Sequence, residues 1–305
     1  MRRYIKRHAV SLSMIALAFL ISFSVNGIQM FKDAGLAAEV INTILAGNVS
    51  AQSSNLYADA PGISAASAIV IDADTGEVLY EKNADEKAYP ASTTKIMTAM
   101  LAVEMLEKLD SPAEQKVKIP DEAVGVEGSS IYLAYDEEVR MVDLLYGMML
   151  RSGNDAATAV AAIMGGSVEG FVESMNLRAR ELGCTGTNFV NPSGLFDENH
   201  YTTVRDMAII SRQAMTNTLF REIAAAEEYT AERGPDMYNY FYNKNKTVHQ
   251  YEGGNGIKIG YTKASGRTLV ASAERNGTQL ICVVMNAPDW FNDAYSLMDY
   301  CFERK

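Results

Sequence analysis

The stretch "PASTTKIMTAMLAVEMLEKL", residues 90–109, limits what this chain can become. Ile96, Met97, Ala99, Met100, Leu101, Val103, Met105 and Leu106 fall on nearly every side of a helix, and a helix that is apolar all round has to be buried all round. Any fold must therefore wrap it with other elements. Ser92, just after Pro90, reads as the N-cap, and a capping box would then call for Glu or Gln three positions on. Lys95 stands there instead. An ammonium in the first turn faces the positive end of the helix dipole and loses about 0.3–1 kcal/mol, while burial penalises its charge further. The position is poor for a structural cation and good for a neutral amine that takes a proton from the Ser92 hydroxyl one turn away.

As a general base at neutral pH, that amine needs a pKa of about 7–8 in place of the usual ~10.4, and burial and the helix N-terminus both push in that direction. Alone, Ser-x-x-Lys is a weak signal, because ordinary residue frequencies produce it about once in a chain of this length. An N-cap serine beside a snorkelling lysine reads just as well.

The 305 residues are 48% hydrophobic and 21% charged, an ordinary globular composition with room for one or two domains. Formal net charge is −11, and four cations sit in the first eight residues, which leaves −15 for the remainder. Nucleic acid is excluded as a partner on that balance. The basic head "MRRYIKRH" precedes an uncharged run over residues 9–31. Residues 1–31 are expected to be a signal peptide, or an N-terminal membrane anchor whose basic flank stays cytoplasmic. The protein is expected outside the cytoplasm, secreted or membrane-anchored and facing the cell wall. Cys184, Cys282 and Cys301 are too few and too uneven for a disulfide framework and read as buried thiols.

Residues 32–62 look like a tether, and the folded domain is expected over 63–305. Two short apolar runs joined by Asp74-Thr75-Gly76 predict a hairpin. Helices are expected over 92–108, on either side of Ser152-Gly153-Asn154, over 169–182, 204–216 and 289–303. Late strands carry "GIKIGYT", "RTLVASAER" and "TQLICVVMNA", the last two joined by Asn276-Gly277. Strands open and close the chain while helices fill its middle. The fold class is therefore α+β, an antiparallel sheet built from both chain ends.

Only His8, His200 and His249 are available, no Gly-x-Ser-x-Gly elbow is present, and no metal ligands are suitably spaced, so neither a Ser-His-Asp hydrolase nor a metal or other cofactor is expected. Two further motifs accompany Ser92 and Lys95: Ser152-Gly153-Asn154 on an interhelical loop, and Lys258-Ile259-Gly260 on a late strand.

With "YPASTTKIMTA", "RSGNDAATAVA", "NPSGLFDENHYTTVRDMAII" and "GIKIGYTKASGRTLVASAERNG", the chain over about residues 63–303 resembles the serine D-alanyl-D-alanine carboxypeptidases, the low-molecular-mass penicillin-binding proteins. The resemblance implies a β-lactamase/DD-peptidase-like fold, with the site between a helix-flanked sheet and a helical subdomain. Ser92 would attack the penultimate D-alanine carbonyl of a peptidoglycan pentapeptide stem, and Lys95 would take its proton. Ser152 would relay a proton to the leaving amine, Asn154 would bond the substrate backbone, and Lys258, with Gly260, would serve the substrate carboxylate. Backbone N–H groups of Ser92 and Tyr261 would form the oxyanion hole. β-Lactams would acylate the same serine as inhibitors. Residues 191–194 and 200–203 are expected to shape a loop near the cleft, with His200 structural. The aromatic run 238–242 is read as a loop packed on the domain.

Two departures from the family pattern stand out. Many relatives continue beyond the catalytic part into a β-rich domain and an amphipathic membrane helix, so membrane attachment here falls to the N-terminal segment if it is uncleaved. Ile259 also replaces the usual threonine of Lys-Thr-Gly. A non-catalytic wall-binding regulator therefore stands as an alternative, and a β-lactamase as another, although "NPSGLFDENHY" offers no glutamate in the context that fast deacylation needs. A hydrogen bond to a charged group is worth about 1.5–3 kcal/mol, or roughly 10- to 150-fold. Ile259→Thr is accordingly expected to raise the rate of acylation by β-lactams or D-Ala-D-Ala peptides, and an unchanged or lower rate would refute this account of the position.

Overall fold

The computed structural model describes residues 57–305. The expected signal or anchor at 1–31, and the expected tether up to residue 56, lie outside the described residues.

The first hairpin forms as its turn residues require. Strands β1 (Ser67–Asp72) and β2 (Val78–Lys82) are joined by a turn in which Asp72 Oδ1 accepts from the Asp74 and Thr75 N–H groups and Gly76 takes a φ of +78°. A 3-10 turn (Ala91–Thr94) then leads into α1 (Lys95–Lys108). The middle of the chain holds β3 (Lys116–Lys118), β4 (Glu138–Arg140), α2 (Met141–Leu150), α3 (Asn154–Gly165), α4 (Val168–Glu181), α5 (Val204–Ala214) and α6 (Thr218–Ala225). It continues with β5 (Glu228–Thr230), β6 (Tyr240–Tyr242) and the single turn α7 (Thr247–Gln250). Strands β7 (Gly254–Thr262), β8 (Gly266–Arg275) and β9 (Thr278–Met285) and helix α8 (Trp290–Phe302) end the fold.

The main sheet has the order β2-β1-β9-β8-β7 and every pairing in it is antiparallel. The two ends of the chain meet in it, β1 pairing with β9 from Ser67↔Met285 to Asp72↔Leu280. Asn276 and Gly277 both have positive φ, +51° and +80°, the geometry a two-residue hairpin prefers. On one face Ile69, Ile71, Val270, Ile281 and Val283 join the core around α1. The alternate residues Val70, Cys282 and Val284 are buried as well, on the face where α8 packs against β8 and β9. Cover on both faces explains why these strands read as continuous apolar runs. All three cysteines are buried free thiols.

Helix α1 is enclosed as expected: Lys95 through Val103 are buried without a break, with α2, α3, α4, α5 and α6 packed around it. Its start differs from expectation. Ser92 is no N-cap; the α-helix begins at Lys95, and neither the turn nor the helix has a side-chain cap. Proline at 90 and a tight 3-10 turn leave the Ser92 hydroxyl free of backbone work. Two short strand pairs, β3–β4 and β5–β6, together with α6, were not legible, since three-residue strands carry too few positions to show a period. The aromatic run 238–242 contains a strand rather than a plain loop, with Phe241 buried and Tyr240 and Tyr242 exposed.

Candidate active site

The site begins at one carbonyl. Pro90 O accepts from Thr93 N–H at 3.2 Å, from Thr93 Oγ1 at 2.7 Å and from Thr268 Oγ1 of β8 at 3.1 Å, which clamps the turn carrying Ser92 onto the sheet. From the other side comes Gly194, at a φ of +85°, so close that a Cβ there would stand 1.8 Å from Ala91 O. Only glycine fits that approach and that dihedral.

Lys95, fully buried, projects its Nζ to within 3.1 Å of Ser92 Oγ, 2.7 Å of Asn154 Oδ1 and 2.6 Å of Ser193 O. Three acceptors match the three N–H groups of an ammonium. They equally suit a neutral amine that donates to the amide and carbonyl oxygens and turns its lone pair to the serine hydroxyl. The nitrogen can therefore gain a proton from Ser92 without rearrangement. Burial, aided by the positive charge of Lys258, holds its pKa well below the ordinary lysine value. The Asp155 carboxylate opposes this, with an effect smaller than burial or Lys258, and its oxygens are occupied elsewhere. It accepts from the N–H groups of Ile131, Leu133 and Ala156 and from Ser130 Oγ.

Asn154 opens α3, and its amide is fixed at both ends, Oδ1 accepting from Lys95 and Nδ2 donating to Glu127 O at 2.7 Å. The substrate contact expected of it meets a side chain already engaged in orienting the base; a substrate N–H could share only the second lone pair of Oδ1. Ser152 is buried at the joint of α2 and α3 with a left-handed φ of +64°, a strained conformation for a residue with a Cβ.

Strand β7 ends the sheet order and lies against the Ser92 turn. Gly260 faces Thr268 across the ladder, and a Cβ at Gly260 would come within 2.9 Å of Ser92 N and 3.0 Å of Pro90 O. Glycine thus lets the strand reach the serine backbone, with the Tyr261 N–H next in line and its ring exposed. Lys258, two residues earlier and so on the same face, is buried and donates to Ile259 O at 3.2 Å. Burial, with Lys244 nearby, pushes its pKa down to about 7. Ile259 alternates to the face shared with Tyr261.

Sequence reasoning missed three contributors. Lys244, exposed and 3.5 Å from Ser129 Oγ, lowers the pKa of both Lys95 and Lys258, yet "NKNK" carries no signal for it. Asp155 follows Asn154 directly and was given no role. Ser193 supplies a carbonyl, which no side-chain pattern reveals. His200 is structural as expected: Val190 N–H donates to its Nδ1 and its Nε2 bonds Thr94 Oγ1 at 2.8 Å, while burial pushes its pKa down to about 4. The ring is neutral, with the proton on Nε2.

A family model described as D-alanyl-D-alanine carboxypeptidase (peptidase S11) matches residues 54–289. The chain belongs to that family. It is 39% identical over 223 residues to the D-alanyl-D-alanine carboxypeptidase DacF of Bacillus subtilis (strain 168), covering 73% of this chain and 57% of the relative. To DacC of Escherichia coli (strain K12) it is 34% identical over 257 residues, 80% of this chain and 62% of the relative. The chain thus spans less than two thirds of the length of these relatives. The crystal structure of the Streptomyces K15 DD-transpeptidase aligns with a TM-score of 0.74 at 32% identity, covering 80% of this chain and 99% of that one. Penicillin-binding protein D2 of Listeria monocytogenes, solved in an ampicillin-bound form, aligns with a TM-score of 0.71 at 28% identity, covering 79% and 98%. The expected DD-peptidase-like fold is the fold observed.

Lys258 ties stability to pH in a way that the family placement does not depend on. A buried lysine with a pKa of about 7 against ~10.4 in the unfolded chain leaves the unfolded state with more bound protons between those values, so stability rises with pH across that window. Lys258→Met removes this slope. Its melting temperature is expected to exceed the wild type's by several degrees at pH 7, at about 2–4 °C per kcal/mol, with the gap closing towards pH 10.5. A constant gap would contradict the buried-lysine account.

Proposed function

We propose that this chain is a serine D-alanyl-D-alanine carboxypeptidase, acting outside the cytoplasm on the pentapeptide stems of peptidoglycan and held at the membrane by its N-terminal segment if that segment is retained. The observation that carries the reading is the buried Lys95 amine 3.1 Å from Ser92 Oγ. Ser92 Oγ attacks the carbonyl carbon of the penultimate D-alanine while its proton passes to Lys95 Nζ. The Ser92 and Tyr261 N–H groups receive the developing oxyanion. The C–N bond then breaks, Ser152 passes a proton to the departing amine of the terminal D-alanine, and an ester remains on Ser92. Water hydrolyses the ester, frees the shortened stem and restores the serine. Lys258 adds positive charge where the terminal carboxylate and the relay need it. A β-lactam opens its ring on the same serine, but its leaving nitrogen stays tethered.

Ile259 supports one other reading, a penicillin- or wall-binding protein without turnover. Intact mass after penicillin, with the adduct mapped to a peptide, separates the two when combined with D-alanine release from a muramyl pentapeptide. Labelling on Ser92 that vanishes in Ser92→Ala, together with release, supports the peptidase; labelling without release supports the regulator. Rapid loss of the adduct would instead indicate a β-lactamase.

The pH dependence of acylation tests the base. With the Lys95 pKa held well below the ordinary lysine value by burial and by the charge of Lys258, acylation is expected to persist below the pH at which an ordinary lysine protonates and to be lost only as pH falls through that lowered value. A rate that kept climbing towards pH 10 would mark an ordinary ammonium and overturn the assignment.

A further inference from the structure

The loop that closes over Asn154 carries an aromatic residue in a costly place. Tyr132 has a φ of +60°, where a bulky side chain is a genuine outlier, and the residue is 69% exposed. Its neighbours enforce the strain: Ile131 N–H and Leu133 N–H both donate to the buried Asp155 carboxylate, and Arg233 donates to Ile131 O and Tyr132 O. Burial does not explain a strained, solvent-facing tyrosine so firmly held.

Its surroundings extend the cleft. Ser129, three positions earlier, accepts the Asn154 N–H through its carbonyl and has its hydroxyl 3.5 Å from Lys244 Nζ. From that contact two segments run to the same place. One brings Tyr132, edge-on to Tyr238 with ring centroids 5.8 Å apart. The other brings Tyr242, whose carbonyl is 3.5 Å from Arg151 Nη1, and the Arg151 guanidinium lies 5.4 Å from the Tyr238 ring. Arg151 directly precedes Ser152. The patch therefore lies on the loop that holds Asn154 and beside the residue before Ser152, with an exposed tyrosine, a second ring at right angles to it and a guanidinium beside them.

We propose that Tyr132, Tyr238 and Arg151 form a subsite for the N-acetylated sugar chain to which the stem peptide is attached. This rests on the peptidase reading for the identity of the polymer. The apolar C–H face of a pyranose stacks on an exposed aromatic ring, and hydroxyl and acetamido oxygens accept from guanidinium N–H groups. Four stem residues separate the scissile bond from the sugar, at most about 13–14 Å at about 3.3–3.6 Å per extended residue, so a sugar subsite has to lie on the loops bordering the cleft. A free peptide has nothing to place there.

Tyr132→Gly removes the ring while suiting the left-handed backbone, so its melting temperature is expected to hold or rise and loss of function cannot be blamed on unfolding. With the full chain and soluble glycan oligomers stripped of peptide as probe, the wild type and Tyr132→Phe are expected to bind, and Tyr132→Gly about tenfold more weakly, equivalent to about 1.4 kcal/mol. No binding by the wild type, or equal binding by Tyr132→Gly, overturns the subsite. In turnover, Tyr132→Gly is expected to raise KM more for glycan-linked pentapeptide than for the free pentapeptide, and equal losses on both overturn it. If neither substrate releases D-alanine, the peptidase reading fails and the glycan-binding measurement still decides the subsite.

Discussion

A lysine nitrogen removed from water, with no carboxylate bonded to it, is the constraint around which this structure is arranged. Burying an isolated ammonium is costly, and the usual outcome is a neutral group. Here the nitrogen keeps a full set of polar partners, none of them a carboxylate, from positions 3, 59 and 98 residues away in sequence. That set satisfies either protonation state, so transfer of a proton between serine and lysine need not wait for side chains to move. Preorganisation of this sort is where most electrostatic catalysis originates.

The remaining parts of the site hold those partners in place. Asp155, buried and saturated with N–H and O–H donors, fixes the loop over α3. The loop presents Glu127 O to Asn154 Nδ2, which settles which end of the amide faces Lys95. On the opposite side, Gly194 against Ala91 and Gly260 against Ser92 let two backbones close on the serine turn without an intervening Cβ. Asp155 thus acts chiefly through geometry, and its charge raises the Lys95 pKa against the larger lowering by burial and Lys258.

Features with a local cause were legible in the sequence. The all-round apolarity of α1 required burial, Asn276-Gly277 required a hairpin, and the oddly placed Lys95 singled itself out as a buried amine beside Ser92 before any partner was visible. What could not be read depends on distant groups. Ser193 acts through a carbonyl that every residue possesses, so its identity carries no signal. Lys244 lies in a run of polar residues and gains importance only where β6, α2 and the residue 127–133 loop converge. Ser92 was misread as a cap because Ser after Pro suits both a cap and a 3-10 turn, and local propensity does not separate them.

Charge in the cleft runs against charge in the chain. Burial first, and then neighbouring positive charge, lowers Lys95 (from Lys258 and Lys244), Lys258 (from Lys244) and Lys244 (from Arg151) in a protein of net charge −11. Mutual repulsion of this kind weakens the resting structure, and it also defines what the cleft accepts, because a like-charged cluster in a partly dry site attracts anions strongly. Lys258, with a pKa of about 7, is divided between its two forms at neutral pH. An arriving carboxylate favours the charged form. On the proposed reading an anion would thus favour in Lys258 the cation that holds it, while Lys95, facing a hydroxyl, an amide and a carbonyl, would be left to act as the base.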